Sequence, residues 1–92
     1  MIKVVKFSRQ LEKQLKKVPF HVAVKFQYWV DQVEENDLEE IRKIPGFHDE
    51  PLKGNLEGLR SIRLSLSYRA YYRIVKEAIE IAYVERIDKH EY

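Results

Sequence analysis

From Arg60 onward the apolar residues stop recurring every three to four positions and recur every second one, which divides the chain into a helical half and a sheet half. Upstream, Val22, Phe26, Trp29, Val30 and Val33 fall at i, i+4, i+7, i+8 and i+11, the spacing of one buried helical face. Downstream, Ile62, Leu64 and Leu66 alternate with Ser61, Arg63 and Ser65. A chain of 92 residues with both patterns has room for one core, so helices and sheet must share it.

The remaining elements follow from local chemistry. Ile2–Phe7 reads as a short strand, and Ser8 as the N-cap of a helix over Arg9–Lys17 with Leu11, Leu15 and Val18 on one face. Pro19 separates this helix from the next. Trp29 is in phase with four apolar neighbours, which assigns it to the core rather than to a ligand. Asn36 or Asp37 caps a shorter helical stretch over Asp37–Ile44, closed by Pro45-Gly46. Residues 47–58 form a loop whose mixed charges, His48, Asp49, Glu50 and Lys53, fit either chemistry or an exposed connector. After a turn near Ser65–Ser67, one strand places Arg69, Tyr71, Arg73 and Val75 on one face and Ala70, Tyr72 and Ile74 on the other. Lys76-Glu77 makes the next turn. The last strand, Ala78–Ile87, has apolar residues on both parities, as in a strand covered on both faces for part of its length. The expected fold is α+β: a single domain over 1–92, with an N-terminal strand, two or three helices, then a three-stranded antiparallel meander with the helices on one of its faces.

The net charge of +2 is a cancellation of blocks: residues 1–19 carry +5, 20–50 carry −5, 51–76 carry +5 and 77–92 carry −3. Basic charge segregated onto the strands points to a polyanionic partner, and the acidic block Asp31–Glu40 belongs away from it. Cysteine is absent, which excludes disulfides and thiolate metal sites and fits a reducing, cytoplasmic compartment. No apolar run reaches the ~18 residues of a membrane span, so neither secretion nor membrane insertion is expected. His21, His48 and His90 lack metal-ligand spacing, and no metal or other cofactor is expected.

On the strands, Arg63, Arg69 and Arg73 share a parity with Tyr71, whereas Arg60 lies on the apolar parity. Guanidinium groups grip phosphate oxygens, and both guanidinium and phenol rings stack on unpaired bases, so this face suits RNA. RNA cleavage needs little more. The ribose 2′-hydroxyl attacks its own phosphate once it is aligned and deprotonated and the charge is stabilised. His48 and His90 suit proton transfer near neutral pH.

The strand–helix–helix opening, the segments PGFHDEPLKGNLEGLRSIRL and SYRAYYRI, and the ending ERIDKHEY together resemble the RelE/ParE toxin superfamily, in its HigB-like or RelE-like branch. The resemblance covers most of the chain. It implies a cytoplasmic toxin of a type II toxin–antitoxin module, an mRNA interferase that inhibits translation. Such a toxin is a metal-independent endoribonuclease that cuts mRNA in the ribosomal A site. It is monomeric when free and forms a hetero-oligomer with its cognate antitoxin. Carried over residue by residue, the resemblance puts catalytic positions on Lys53, Arg63 and Arg69. At the C-terminus one alignment places an arginine and a tyrosine on Arg86 and Tyr92, and another makes His90 the acid or base. Arg60, Tyr71, Arg73, Arg86 and His48 complete the expected RNA contacts. The lysine-rich RelE pattern is departed from at Ser61 and Arg63, which leaves the base to Lys53, His90 or His48. A ParE-like gyrase poison, or an inactive antitoxin-binding relative, would share the fold without needing this cluster.

Overall fold

The structure, a computed structural model, describes residues 1–87. After a short N-terminal strand, helices occupy the first half and strands the second, as the change of period requires. The helices are α1 (Arg9–Leu15), α2 (Phe20–Asn36) and α3 (Leu38–Ile41). The strands are β1 (Val4–Lys6), β2 (Glu50–Pro51), β3 (Arg60–Arg63), β4 (Tyr68–Val75) and β5 (Ala78–Arg86). They form one sheet in the order β1-β5-β4-β3-β2. The expected antiparallel meander is its centre, with β1 added in parallel to β5 and the short β2 added to β3.

Two of the three helices, α1 and α3, start where a side chain satisfies a free N–H group, whereas α2 starts at Pro19 without a side-chain cap. The Ser8 hydroxyl accepts from the Leu11 amide at 3.2 Å, and the Asp37 carboxylate accepts from the Glu40 amide at 3.2 Å. Asp37 is the cap that the sequence left open, and α3 is shorter than expected, ending at Ile41 with a 3-10 turn over Pro45–Phe47. The five residues of the α2 stripe are all buried. Trp29 is fully buried and packs on Phe26 and on Tyr72 of β4, with ring centroids 6.3 Å and 5.3 Å away. Ile62, Ala70, Tyr72, Ile79, Ile81 and Val84 complete the sheet's side of this core. Each large apolar side chain removed from water there contributes roughly 1.5–3 kcal/mol.

One strand expectation is corrected, and β5 adds a feature that the sequence did not show. β3 ends at Arg63, because the amides of Leu64 and Ser65 both turn back to the Tyr68 carbonyl, at 2.9 Å and 3.3 Å. Leu66 is consequently in the turn and 69% exposed rather than in the core. In β5 the adjacent Ala78 and Ile79 are both buried, as a strand covered on both faces at one end requires, and a bulge farther along adds a change of parity. Tyr71 pairs with Tyr83 but Tyr72 pairs with Ile81, so Ala82 is the extra residue and the core-facing parity changes there. Ile79 and Ile81 face the core before the bulge, and Val84 faces it after.

Candidate active site

The side of the sheet away from the helices is built in cross-strand rows, since directly paired residues point to the same face. Arg63 of β3 pairs with Arg69 of β4, which pairs with Glu85 of β5. In the adjacent row Glu50 pairs with Ser61, Ser61 with Tyr71 and Tyr71 with Tyr83. Farther along β4, Arg73 pairs with Glu80, the partner of Lys6. Register alone therefore brings two guanidinium groups side by side and places carboxylates around them.

The contacts are specific. Arg69 Nη1 lies 3.6 Å from Glu50 Oε1 and 3.4 Å from the Ser61 hydroxyl. Arg63 Nη1 lies 3.4 Å from His48 Nε2. The Tyr71 hydroxyl donates to Glu85 Oε2 at 3.0 Å while its ring stacks on Tyr83, with centroids 4.6 Å apart and planes 22° apart. Tyr71 is only 5% exposed. Burial, then the hydrogen bond and negative charge of Glu85, push its pKa up to about 12. Tyr71 is therefore a neutral, packed phenol, and the half-buried Tyr83 presents more of its ring to solvent. Arg73 Nη1 lies 3.8 Å from Glu80 Oε1, so the expected basic stripe is an alternation of arginines and carboxylates.

Of the sequence-derived candidates, Arg63, Arg69 and His48 converge, and Tyr71 and Arg73 lie on the same face. Arg60 faces the core side as the partner of Tyr72. Its Nε donates to Asp49 Oδ1 at 2.7 Å, and the Tyr72 hydroxyl donates to Asp49 Oδ2 at 2.6 Å. Burial works against the Arg60 charge, but the hydrogen bond and attraction of Asp49 outweigh it and raise its pKa above the ordinary value. Arg86 pairs with Tyr68 and lines a groove of about 490 Å³ with Pro19, His21 and Ser65–Tyr68, on the helix side. Lys53 lines a second groove of about 490 Å³, with Arg42, Leu52, Leu59, Arg60 and Ile74. It follows β2 beyond the Arg60 end of the β2–β3 pair, whereas Arg63 is at the other end. The register separates the two by roughly 16 Å, about five residues of strand. His90 and Tyr92 lie outside the described residues.

Sequence reasoning missed Glu50, Ser61, Tyr83 and Glu85 as members of this cluster. Glu50 was hidden because a two-residue strand gives no period, and Tyr83 and Glu85 because the bulge changes parity just before them. Among the described residues no group of three or more potential ligands could hold a metal ion, and no helix is long and apolar enough to cross a membrane.

No protein-family model matches the chain, and no curated protein sequence does. Solved structures do. The YoeB–YefM complex from Staphylococcus aureus is matched at a TM-score of 0.68 and 22% identity, over 91% of this chain and 95% of that one. The archaeal RelE–RelB complex from Pyrococcus horikoshii is matched at 0.67 and 24%, over 94% and 96%. The toxin–antitoxin complex RelBE2 from Mycobacterium tuberculosis is matched at 0.59 and 25%, over 94% and 99%. The likeness runs over nearly the full length of both chains in each case, and the chain therefore has the fold of the RelE and YoeB toxins.

Proposed function

We propose that the protein is the toxin of a type II toxin–antitoxin module and that it cuts mRNA on the ribosome, as a metal-independent endoribonuclease of the cytoplasm. The observation that carries this reading is the cross-strand pair Arg63–Arg69, with His48 against one guanidinium and Glu50 against the other. Two adjacent forks fit the oxygens of one phosphodiester and stabilise the charge that builds as it becomes pentavalent. Arginine does not serve as a base at neutral pH, so Glu50 or His48 takes the 2′-hydroxyl proton. The 2′-oxygen bonds to phosphorus and the bond to the 5′-oxygen breaks, leaving a 2′,3′-cyclic phosphate and a 5′-hydroxyl. The leaving oxygen's proton comes from His48 or His90, and Tyr83 or Tyr92 stacks on a base. Arg73 and Lys53 contact neighbouring phosphates.

The same reading gives the toxin a cognate antitoxin. Phe20, Val24 and Tyr28 recur every four residues on the outer face of α2 and are 83%, 48% and 51% exposed. Such a stripe is the surface an amphipathic partner segment covers, and the free toxin is monomeric until it does. A second reading, a ParE-like gyrase poison, is favoured by one observation: Glu50, Glu80 and Glu85 interleave with the arginines and reduce the face's attraction for polyanions.

Two parallel assays separate the readings. Wild-type protein added to programmed ribosomes should produce new mRNA ends in the A-site codon, while gyrase supercoiling proceeds unchanged. Intact mRNA with inhibited supercoiling would replace the first reading by the second.

A further inference from the structure

His48, Asp49 and Glu50 are consecutive, and they alternate in direction. His48 and Glu50 reach Arg63 and Arg69 on the open face, while Asp49 between them turns inward. The segment carrying them has little to hold it. β2 is an edge strand of two residues. The Leu52 amide donates to Leu59 at 3.0 Å, so by antiparallel alternation Glu50 and Ser61 form the next hydrogen-bonded pair, at the end of the ladder. His48 has a φ of 47°, a left-handed backbone that side chains other than glycine adopt at a cost. Neither short pairing nor local preference accounts for a fixed place for these two side chains.

Asp49 accounts for it. Its side chain is 1% exposed, and both carboxylate oxygens are used: Oδ1 accepts from Arg60 Nε at 2.7 Å and Oδ2 from the Tyr72 hydroxyl at 2.6 Å. Tyr72 is itself fully buried against Trp29. The anchor thus runs from the core of the domain, through two hydrogen bonds from two different strands, to the residue between the two candidate proton-transfer groups.

We infer that Asp49 is a positioning residue, whose buried carboxylate clamps the edge segment so that His48 and Glu50 are held against Arg63 and Arg69. It touches no substrate. The inference rests on the Arg63–Arg69 cluster being the reacting centre, but its structural half can be tested without that.

Asp49→Asn keeps the volume and removes the charge and one acceptor. Two readouts are taken on this variant and on Val33→Ala, which destabilises the core under α2 and leaves the three hydrogen-bonded residues of the clamp in place. In mRNA cleavage on programmed ribosomes, Asp49→Asn should lower kcat at least tenfold with KM within twofold of wild type, while Val33→Ala leaves kcat unchanged at a temperature where both are folded. In solution NMR of the free protein, Asp49→Asn should speed amide exchange at Glu50 at least tenfold and shift the His48 ring resonances, with Ile79 exchange unchanged. A kcat that stays at the wild-type value, or falls only in step with Val33→Ala, overturns the inference. So does unchanged exchange at Glu50 with an unmoved His48 ring. If the wild type does not cleave, the functional reading fails, and the NMR outcome alone decides whether Asp49 clamps the segment.

Discussion

Tyr71 and Tyr72 are neighbours on β4, face opposite ways, and each donates its hydroxyl to a carboxylate. On the core side, Tyr72 meets a carboxylate that is 1% exposed and already neutralised by Arg60. On the open side, Tyr71 meets Glu85, an exposed residue. The core-side group is closed, with donors and charges matched. The open-side group keeps two guanidiniums and two carboxylates within reach of a ligand. One strand thus builds a fixed anchor on one face and an adaptable surface on the other.

Breaking the core-side ion pair should have the largest effect on stability. Arg60→Ala leaves the Asp49 carboxylate buried without its cation, and chemical denaturation should show a loss of about 3 kcal/mol. Tyr72→Phe should cost roughly 1–3 kcal/mol, because a buried acceptor loses its donor; Tyr71→Phe should cost less, since Glu85 is reached by water. Equal losses for the two tyrosines would erase the distinction between the faces.

The pH dependence sharpens it further. Both tyrosine pKa values are raised, Tyr71 to about 12 and Tyr72 further still. For Tyr72 burial comes first, followed by the hydrogen bond and charge of Asp49. A raised folded-state pKa means that the stabilisation is fully present below the unfolded value near 10 and is lost as pH climbs through the folded value. Thermal midpoints should therefore fall between pH 10 and 12, and Tyr71→Phe should flatten part of that fall. An unchanged slope would show that Tyr71 remains as free to ionise when folded as when unfolded. The smallest effect belongs to Arg73→Ala, whose pair with Glu80 is half exposed on both sides: a change within about 1 kcal/mol that fades with added salt.

Much of this was legible in the sequence. The α2 stripe, the Ser8 cap, the meander and the shared face of Arg63, Arg69 and Arg73 follow from period and turn chemistry, which are local. What was not legible depends on register. Leu66 continues an apolar alternation that the turn interrupts, Ala82 bulges without a glycine to mark it, and Glu50 pairs as part of a strand too short to have a period. The same limit explains the site. Parity aligned the arginines, but which carboxylate faces each one is fixed by cross-strand partners. Lys53 and Arg86 needed three-dimensional placement to be separated from the Arg63–Arg69 pair.

The most direct test of the functional reading is the single-turnover rate of mRNA cleavage on programmed ribosomes for wild type and Arg69→Ala, with the thermal midpoint recorded for both. Arg69 is partly exposed and its ion pair with Glu50 is long, so the midpoint should change little. Loss of a charge-stabilising donor should slow cleavage about 10²–10³-fold. Equal rates for the two proteins would contradict the assignment of this face as the reacting surface.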